Sequence, residues 1–296
     1  MPFVLNKKQL LKAALDWLKP YDTVEKIAQL SARDAAWLAI AFSRLDQDRA
    51  LLCLQTALSF ESPTEDASAV LSDAAHGWIL GHLYQTAKNK AVFLQQLRPV
   101  FQQILDFHRF LYGNCDLSGD GLIATASGQS EGVTRSHTLT YFEDPFFNAM
   151  LIWSNEQLIR LGGLLKHDVQ ELMEWNDLAV WSMNEKLWSE NAGLYLPHVL
   201  KNSQTVFSAS ITGMMPLAAG IPTQEQAERM LETLLQGDFQ IPDIATAWLL
   251  YKGLLRYGMQ ESAADLKKEA FASIEDHLAD SASKAAIYIE WLCAAR

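Results

Sequence analysis

The sequence predicts an all-α fold in which about twelve helices form a closed ring of six helical hairpins, an (α/α)6 toroid. Apolar residues recur at spacings of three and four along almost the whole chain, which is the period of a helix face. Short connections rich in Gly, Pro, Ser and Asp separate these segments, and no series of strands is evident. A closed ring covers the apolar face of every hairpin. The rival, an open solenoid, would repeat a motif at constant spacing, and none recurs. We therefore expect residues 1–296 to form a single toroidal domain.

The predicted helices carry recognisable start and stop signals. Asn6 precedes the first helix as an N-cap and Pro20 marks its end. Ser31 caps the third helix, and Pro145 stands at the favoured first-turn position of another. The predicted segments are residues 7–19, 23–30, 31–44, 46–59, 72–86, 90–112, 145–165, 167–188, 208–219, 223–235, 242–257, 261–277 and 281–295.

Two connections are too long to be simple turns, namely residues 113–144 and 191–208. Loops of that length in compact domains are usually functional or disordered. The first is rich in Gly, Ser, Thr and carboxylates. We therefore expect the functional residues to lie mainly in this first connection.

Composition limits the classes of function and partner. With 49% hydrophobic and 20% charged residues among 296, the chain can bury enough apolar surface to fold. A net charge of −11 without a basic patch argues against nucleic-acid and anionic-membrane partners. Three widely spaced cysteines indicate reduced thiols, and neither a signal peptide nor an apolar run of about 18 residues is present. We expect a soluble, cytoplasmic protein, and the oligomeric state stays open, a homo-oligomer included.

The segment 114–122 places oxygen-bearing side chains at alternate positions, Asp116, Ser118 and Asp120, before a glycine. This resembles the first half of a calcium loop, but Ser127 stands at the twelfth position, where glutamate is needed. A cation site and a plain Asp/Gly turn both remain open. We assign no metal and no cofactor, since phosphate-binding and dinucleotide-binding glycine motifs and the GxSxG motif are also missing.

A group of ionisable residues follows in the same connection, consisting of Glu131, Arg135, His137, Glu143 and Asp144. Paired carboxylates in unequal environments suit acid/base cleavage of an acetal, because one protonates the leaving group while the other activates water. The alternative for Asp144 is that it caps the following helix. Glu131 is explained either by catalysis or by simple solvation.

Nine tryptophans are many for this length. Those inside apolar helical segments are predicted to belong to the core, the alternative being that aromatic faces at the mouth of the ring stack on sugars. These residues are Trp17, Trp37, Trp153, Trp181 and Trp248.

Several motifs resemble those of the (α/α)6-toroid glycosidases of glycoside hydrolase family 63, with mannosylglycerate and glucosylglycerate hydrolases nearest and trehalase more distant. The likeness covers roughly residues 72–296 and speaks more strongly for the fold than for the activity. The motifs are EDPFFNAML at 143–151, NEQL at 155–158, NEKLW at 184–188, GLY at 193–195 and SASITGMMPLAAGI at 208–221.

The resemblance implies inverting acid/base hydrolysis of a small α-linked glycoside or oligosaccharide without a cofactor. The family's acid is an aspartate in a Ser-Gly-x-Asp segment, but here Ser130 stands at that position, so we predict Glu131 as a displaced acid. The family's base is a glutamate before the last helix, and Glu275 is the nearest match. The family's Tyr-Trp-Arg-Gly segment is absent where residues 242–248 stand.

We expect further residues of the first long connection and the following helix to contact the substrate, namely Arg135, His137, Glu143, Asp144 and Asn148. The alternative function is a toroid that has lost the hydrolytic pair and binds a sugar or a partner, or catalyses a non-hydrolytic reaction.

Overall fold

Thirteen α-helices make up most of the part of the chain that the computed structural model describes. That part comprises residues 7–58, 67–126, 141–200, 204–205, 210–237, 239, 241, 243–274 and 281–293. The helices are α1 Lys7–Leu18, α2 Val24–Ile27, α3 Ala32–Phe42, α4 Gln47–Leu58, α5 Ala67–Thr86, α6 Lys90–Asn114, α7 Pro145–Leu165, α8 Gln170–Ser182, α9 Pro216–Ala219, α10 Gln224–Gln236, α11 Ile244–Arg256, α12 Gln260–Ile274 and α13 Ala282–Cys293. None of these helices is both long and apolar enough to cross a membrane.

Six helices form an inner ring in the order α3, α5, α7, α9, α11 and α13, and each packs against the next. Helix α13 packs back against α3, so the ring is closed. Outer helices lie against inner ones: α1 on α13, α4 on α3, α6 on α5, α8 on α7 and α12 on α11. Closure between the first and the last inner helix distinguishes a toroid from an open solenoid, and the predicted ring is confirmed.

The contact between α5 and α7 is especially close because α5 carries two glycines on the facing side. A Cβ atom on Gly77 would lie 2.8 Å from the backbone oxygen of Ser154, and one on Gly81 would lie 2.7 Å from the side chain of Gln157. The backbones therefore approach to a distance that no larger residue allows. The same contact is tied by a hydrogen bond from the Trp78 amide to the Ser154 hydroxyl at 3.2 Å.

Six short strands are present in the described residues, although the sequence showed no series of strands. They are β1 Ala124–Ala126, β2 Tyr141–Glu143, β3 Trp188–Ser189, β4 Leu194–Tyr195, β5 His198–Val199 and β6 Gln204–Thr205. Antiparallel pairing orders four of them β1-β2-β5-β6, while β3 pairs with β4, against which α10 lies. Segments of two or three residues are too short to show the alternation of a strand. Most of them fall in the two long connections that the sequence marked out.

Helix boundaries agree best where a cap fixes them. The Ser31 hydroxyl accepts a hydrogen bond from the Asp34 amide at 3.1 Å, and α7 spans Pro145–Leu165 as predicted. The predicted helix 167–188 instead ends at Ser182, and a π-helical turn, Met183–Leu187, leads into β3. Residues 210–219, the described part of the predicted helix 208–219, contain a 3-10 turn, Ile211–Met214, and the four residues of α9. A proline lacks the amide that would continue a helix, and α9 begins at one.

The inner helices share one direction, which decides where side chains meet. Arg44, just after α3, and His82, near the end of α5, both contact Glu290 near the end of α13. Residues from the first turns of α3, α7 and α11 meet at the opposite end, where they line one pocket. The N-termini of the inner helices therefore lie at the pocket end of the ring, and their C-termini lie at the other.

Candidate functional site

A pocket partly open to solvent lies at the end of the ring where the inner helices begin, and the space in it, including the solvent at its mouth, is about 670 Å³. Its walls come from the first turns of α3, α7 and α11 and from the middle of α5. The aligned backbone amides at helix N-termini give this end a positive potential. The lining residues are Arg33, Ala36, Trp37, Ile40, Ala75, Trp78, Ile79, Phe146, Met150, Asp243, Ala245, Thr246 and Leu249.

Tryptophans form the floor of the pocket. Trp37 and Trp78 line it, and both contact the buried ring of Trp248 edge-on, at centroid distances of 6.2 and 5.5 Å. Trp153 packs on Trp78 at 4.7 Å. Aromatic faces bind the apolar face of a sugar ring, so the floor is suited to carbohydrate.

Polar groups stand at the mouth of the pocket. Arg33 is exposed, and within the described ranges no carboxylate pairs with it and no hydrogen bond engages its guanidinium. Asp243 is also exposed and caps α11 by accepting a hydrogen bond from the Thr246 amide at 2.8 Å. An unpaired guanidinium beside an aromatic surface presents donors to a carboxylate or to several hydroxyl groups.

Asp144 and Asn148 are tied into the backbone next to the pocket. The Asp144 carboxylate caps α7 by accepting a hydrogen bond from the Phe147 amide at 2.8 Å, which confirms the capping interpretation. The Asn148 amide group bonds the backbone of Ile123 in both directions, at 2.7 and 3.1 Å. Asp144 therefore stabilises the first turn of α7, and Asn148 holds that turn against the segment that follows α6.

Glu143 is completely buried at the end of β2. One carboxylate oxygen accepts a hydrogen bond from the Ser118 hydroxyl at 2.7 Å and lies 3.9 Å from the Lys186 ammonium, while the other has no hydrogen-bond partner among the described residues. Burial raises the pKa of Glu143, and the nearby charge of Asp116 raises it further, against the effect of the Ser118 bond. A carboxyl group in such surroundings retains its proton more readily than an exposed one.

The half calcium motif is folded as a turn. Asp116 accepts hydrogen bonds from the amides of Asp120 and Gly121 at 3.1 and 2.9 Å, and Asp120 accepts one from Leu122 and pairs with Lys186. These bonds stabilise the Asp/Gly turn. In the described part of the chain, no group of three or more His, Cys, Asp or Glu side chains is arranged to hold a metal ion.

The predicted catalytic pair, Glu131 and Glu275, lies outside the described residues, as do Arg135 and His137. Residues 127–140 connect β1 to β2, which leads into the N-terminus of α7, and residues 275–280 connect α12 to the N-terminus of α13.

Sequence reasoning singled out none of the three polar residues that line the pocket, Arg33, Asp243 and Thr246, and it did not single out Trp78. Three of them cap or begin an inner helix, so a signal existed, because first turns of alternate helices in a ring meet at one end. The prediction that Trp181 belongs to the core is wrong, because its side chain is 59% exposed. Trp37 lines the pocket, so the alternative predicted for the tryptophans, an aromatic face at the mouth of the ring, describes it better. Trp153 and Trp248 are buried as predicted.

A family model matches most of this chain. The domain model described as "Mannosylglycerate hydrolase MGH1-like glycoside hydrolase domain" matches residues 28–242. The mannosylglycerate hydrolase of Thermus thermophilus is 28% identical over 167 residues, which are 46% of this chain and 39% of that enzyme. The match thus spans about two fifths of the length of this curated relative.

Solved structures of two enzymes have the same fold. The family 63 mannosylglycerate hydrolase from another strain of Thermus thermophilus, in complex with Tris, superposes with a TM-score of 0.80 at 18% identity, covering 95% of this chain and 99% of that one. The neutral trehalase of Saccharomyces cerevisiae gives a TM-score of 0.62 at 12% identity, covering 90% and 72%. The Thermus enzyme has also been solved with D-glycerate and with glucose bound. Because the domain model covers most of the chain, this protein belongs to the mannosylglycerate hydrolase MGH1-like family of glycoside hydrolase domains.

Proposed function

We propose that this protein is a glycoside hydrolase whose substrate is a small α-linked glycoside with a carboxylate on its aglycone, as in mannosylglycerate. The observation that carries the proposal is the unpaired Arg33 guanidinium at the mouth of a tryptophan-floored pocket, as seen within the described ranges. The sugar ring packs on Trp37 and Trp78, and Arg33 binds the carboxylate in a two-point contact. The D-glycerate and glucose complexes of the Thermus enzyme support this division between a sugar part and an acid part.

In the proposed reaction, Glu131 protonates the glycosidic oxygen while Glu275 removes a proton from the attacking water. The bond from the anomeric carbon to that oxygen breaks as the bond to water forms, and the configuration inverts. The mechanism requires the two carboxyl groups to lie roughly 6.5–9.5 Å apart. Support comes from the order of the chain, in which Glu131 lies between β1 and the strand that leads into α7, and Glu275 lies between α12 and α13.

Other charged and polar residues are proposed to bind the sugar or to shape the site. Arg135 and His137 are kept as sugar contacts, whereas Glu143, Asp144 and Asn148 shape the site by fixing the start of α7. The protein is taken to be a single toroidal domain that acts in the cytoplasm, which its widely spaced cysteines support.

The test is hydrolysis of mannosylglycerate by the purified protein, followed by proton NMR of the first sugar released. We expect the inverted anomer, and Glu275→Gln should lower kcat by about a thousandfold or more while the melting temperature stays nearly unchanged. Release of the retained anomer would contradict the mechanism, and full activity of Glu275→Gln would contradict the assigned base.

The role of Arg33 is tested separately. Arg33→Ala should raise KM for mannosylglycerate about a hundredfold, because a charge-assisted pair worth roughly 2–3 kcal/mol is lost. Binding of methyl α-mannoside, which lacks the carboxylate, should change little. Arg229→Ala, which removes an exposed arginine on the outer helix α10, is the matched control. An equal loss of affinity for both ligands in Arg33→Ala would show that Arg33 does not bind the carboxylate.

A second candidate, a toroid that binds carbohydrate without hydrolysing it, is favoured by Ser130 at the position of the family's acid. This candidate predicts that mannosylglycerate or glucose raises the melting temperature although no sugar is released. The wild-type assay therefore separates the two functions.

A further inference from the structure

A group of charged and polar side chains lies directly beneath the tryptophan floor, at the ends of the inner helices. Its centre is Glu290 of α13, which is 2% exposed. The Glu290 carboxylate accepts hydrogen bonds from Arg44 Nε and Nη2 at 2.7 and 3.3 Å, and His82 Nε2 lies 3.3 Å away. Lys252 of α11 is half-buried and holds its ammonium 5.2 Å from the centre of the Trp248 ring. We call Arg44, His82, Lys252 and Glu290 the Glu290 cluster.

Two members of the Glu290 cluster each follow a tryptophan by four residues on the same helix: one of these tryptophans lines the pocket, and the other is buried against it. His82 follows Trp78 on α5, and their rings are 6.2 Å apart. Lys252 follows Trp248 on α11, with its ammonium 5.2 Å from the centre of the Trp248 ring. Residues four apart on a helix share one face. The charged layer and the aromatic layer are therefore adjacent turns of the same helices.

The charged groups in this layer stabilise one another's charged forms. Burial raises the pKa of Glu290, but hydrogen bonding to His82 and the charges of His82 and Arg44 outweigh burial and hold the pKa at about 2. Burial lowers the pKa of Lys252, and the charge of Glu290 opposes that effect. Removing one partner from such a group leaves another charge buried and uncompensated. The cluster therefore favours a single arrangement of α5, α11 and α13.

We infer that the Glu290 cluster is a positioning unit for the pocket, since it sets the orientation of the Trp78 and Trp248 rings and thereby the surface on which the ligand packs. Trp248 is 1% exposed and contacts both tryptophans of the pocket edge-on, so a change in its orientation moves Trp37 and Trp78 as well. Close-packed interiors transmit such shifts. The effect on a bound sugar rests on the proposed function, but the orientation of the rings does not.

The first variant is Lys252→Met, which keeps an unbranched apolar side chain of similar length and removes the ammonium from the Trp248 face. We expect altered near-ultraviolet circular dichroism of the ligand-free protein and about a tenfold rise in KM for mannosylglycerate, with a smaller change in kcat, because misplacement of binding groups weakens binding. Lys252→Arg should restore both properties, since it keeps a cation over the ring. Glu232→Gln, in an exposed pair on α10, is the control for loss of a charge.

Two further measurements keep the inference falsifiable. Glu290→Gln should alter the same near-ultraviolet dichroism bands. If this variant does not fold, Lys252→Met still tests the inference. In the Trp248→Phe background, Lys252→Met should have little effect on KM, because the lysine acts through the indole ring. Unchanged dichroism and unchanged KM in Lys252→Met, or an equal effect in the Trp248→Phe background, would overturn the inference.

The outcomes also separate this inference from the proposed function. If the wild-type protein neither binds nor hydrolyses mannosylglycerate, the proposed function fails and the dichroism of the ligand-free variants decides the inference alone. If hydrolysis occurs and Lys252→Met leaves dichroism and KM unchanged, the inference fails and the proposed function stands.

Discussion

Two histidines are buried without charge in the contact between α5, α6 and α7. His76 is buried and has no hydrogen-bond partner on either ring nitrogen among the described residues. His108 Nδ1 is hydrogen-bonded to Asn155 Oδ1 at 2.7 Å. Burial lowers the pKa of His76 to about 3, with a further contribution from His108, and burial lowers the pKa of His108 to about 4. In the folded protein both rings therefore stay neutral at pH values well below the ordinary pKa of histidine.

This pair predicts a loss of stability in mild acid. The unfolded chain takes up protons at the histidines below about pH 6.5 while the folded chain does not, so stability falls from that pH downward until the folded pKa values are passed. We expect each histidine to contribute about 2 kcal/mol of lost unfolding free energy between about pH 7.5 and about pH 5. Urea unfolding at the two pH values measures it. His76→Phe should show a smaller difference, and a difference equal to that of the wild type would contradict the assignment.

At the scale of single elements, α5 and α7 show how small residues set a helix distance. Gly77 admits the backbone of α7 near Ser154, whereas Gly163, on α7 itself, faces open space, and a Cβ atom there would meet nothing within 4 Å among the described residues. The two glycines have the same intrinsic helix propensity. Because only Gly77 is crowded, replacing each glycine with alanine separates the cost of steric crowding from the gain in helix propensity.

Gly77→Ala is expected to destabilise the protein by roughly 1–3 kcal/mol, because the new Cβ lies 2.8 Å from a backbone oxygen that cannot move aside. Gly163→Ala is the matched control and should stabilise by about 0.5–1 kcal/mol. Melting curves of both variants decide the point. Equal stability of Gly77→Ala and the wild type would show that α5 and α7 can separate at little cost.

The whole molecule depends on closure of the ring, in which the last helix packs against the first inner one. Helix α13 covers apolar faces of α3 and α11 and carries Glu290, which bonds to Arg44 beyond the end of α3. Its buried residues include Ala285, Ile287 and Ile289. Without α13, these faces of α3 and α11 meet water.

A chain ending at residue 280 should therefore lose cooperative unfolding and bind a hydrophobic dye, because it exposes apolar surface that costs about 25 cal/mol per Å². A chain ending at residue 293 retains all of α13 and serves as the control. Cooperative melting of the shorter chain would mean that five hairpins fold without closure.

The sequence by itself determined the helical periodicity, the caps at Ser31, Asp144 and Pro145, and the motifs that place the chain among the toroid glycosidases. These features are local, since each depends on residues within one or two turns of a helix. The tertiary structure alone decided that Arg33, Trp78 and Thr246 share one pocket and that Glu290 meets Arg44 and His82. Residues more than 200 positions apart meet only because the ring closes and its inner helices run in one direction. The short strands likewise depend on partners outside themselves for their hydrogen bonds, and β2 pairs with β5 across the whole of α7 and α8, which two or three residues cannot encode.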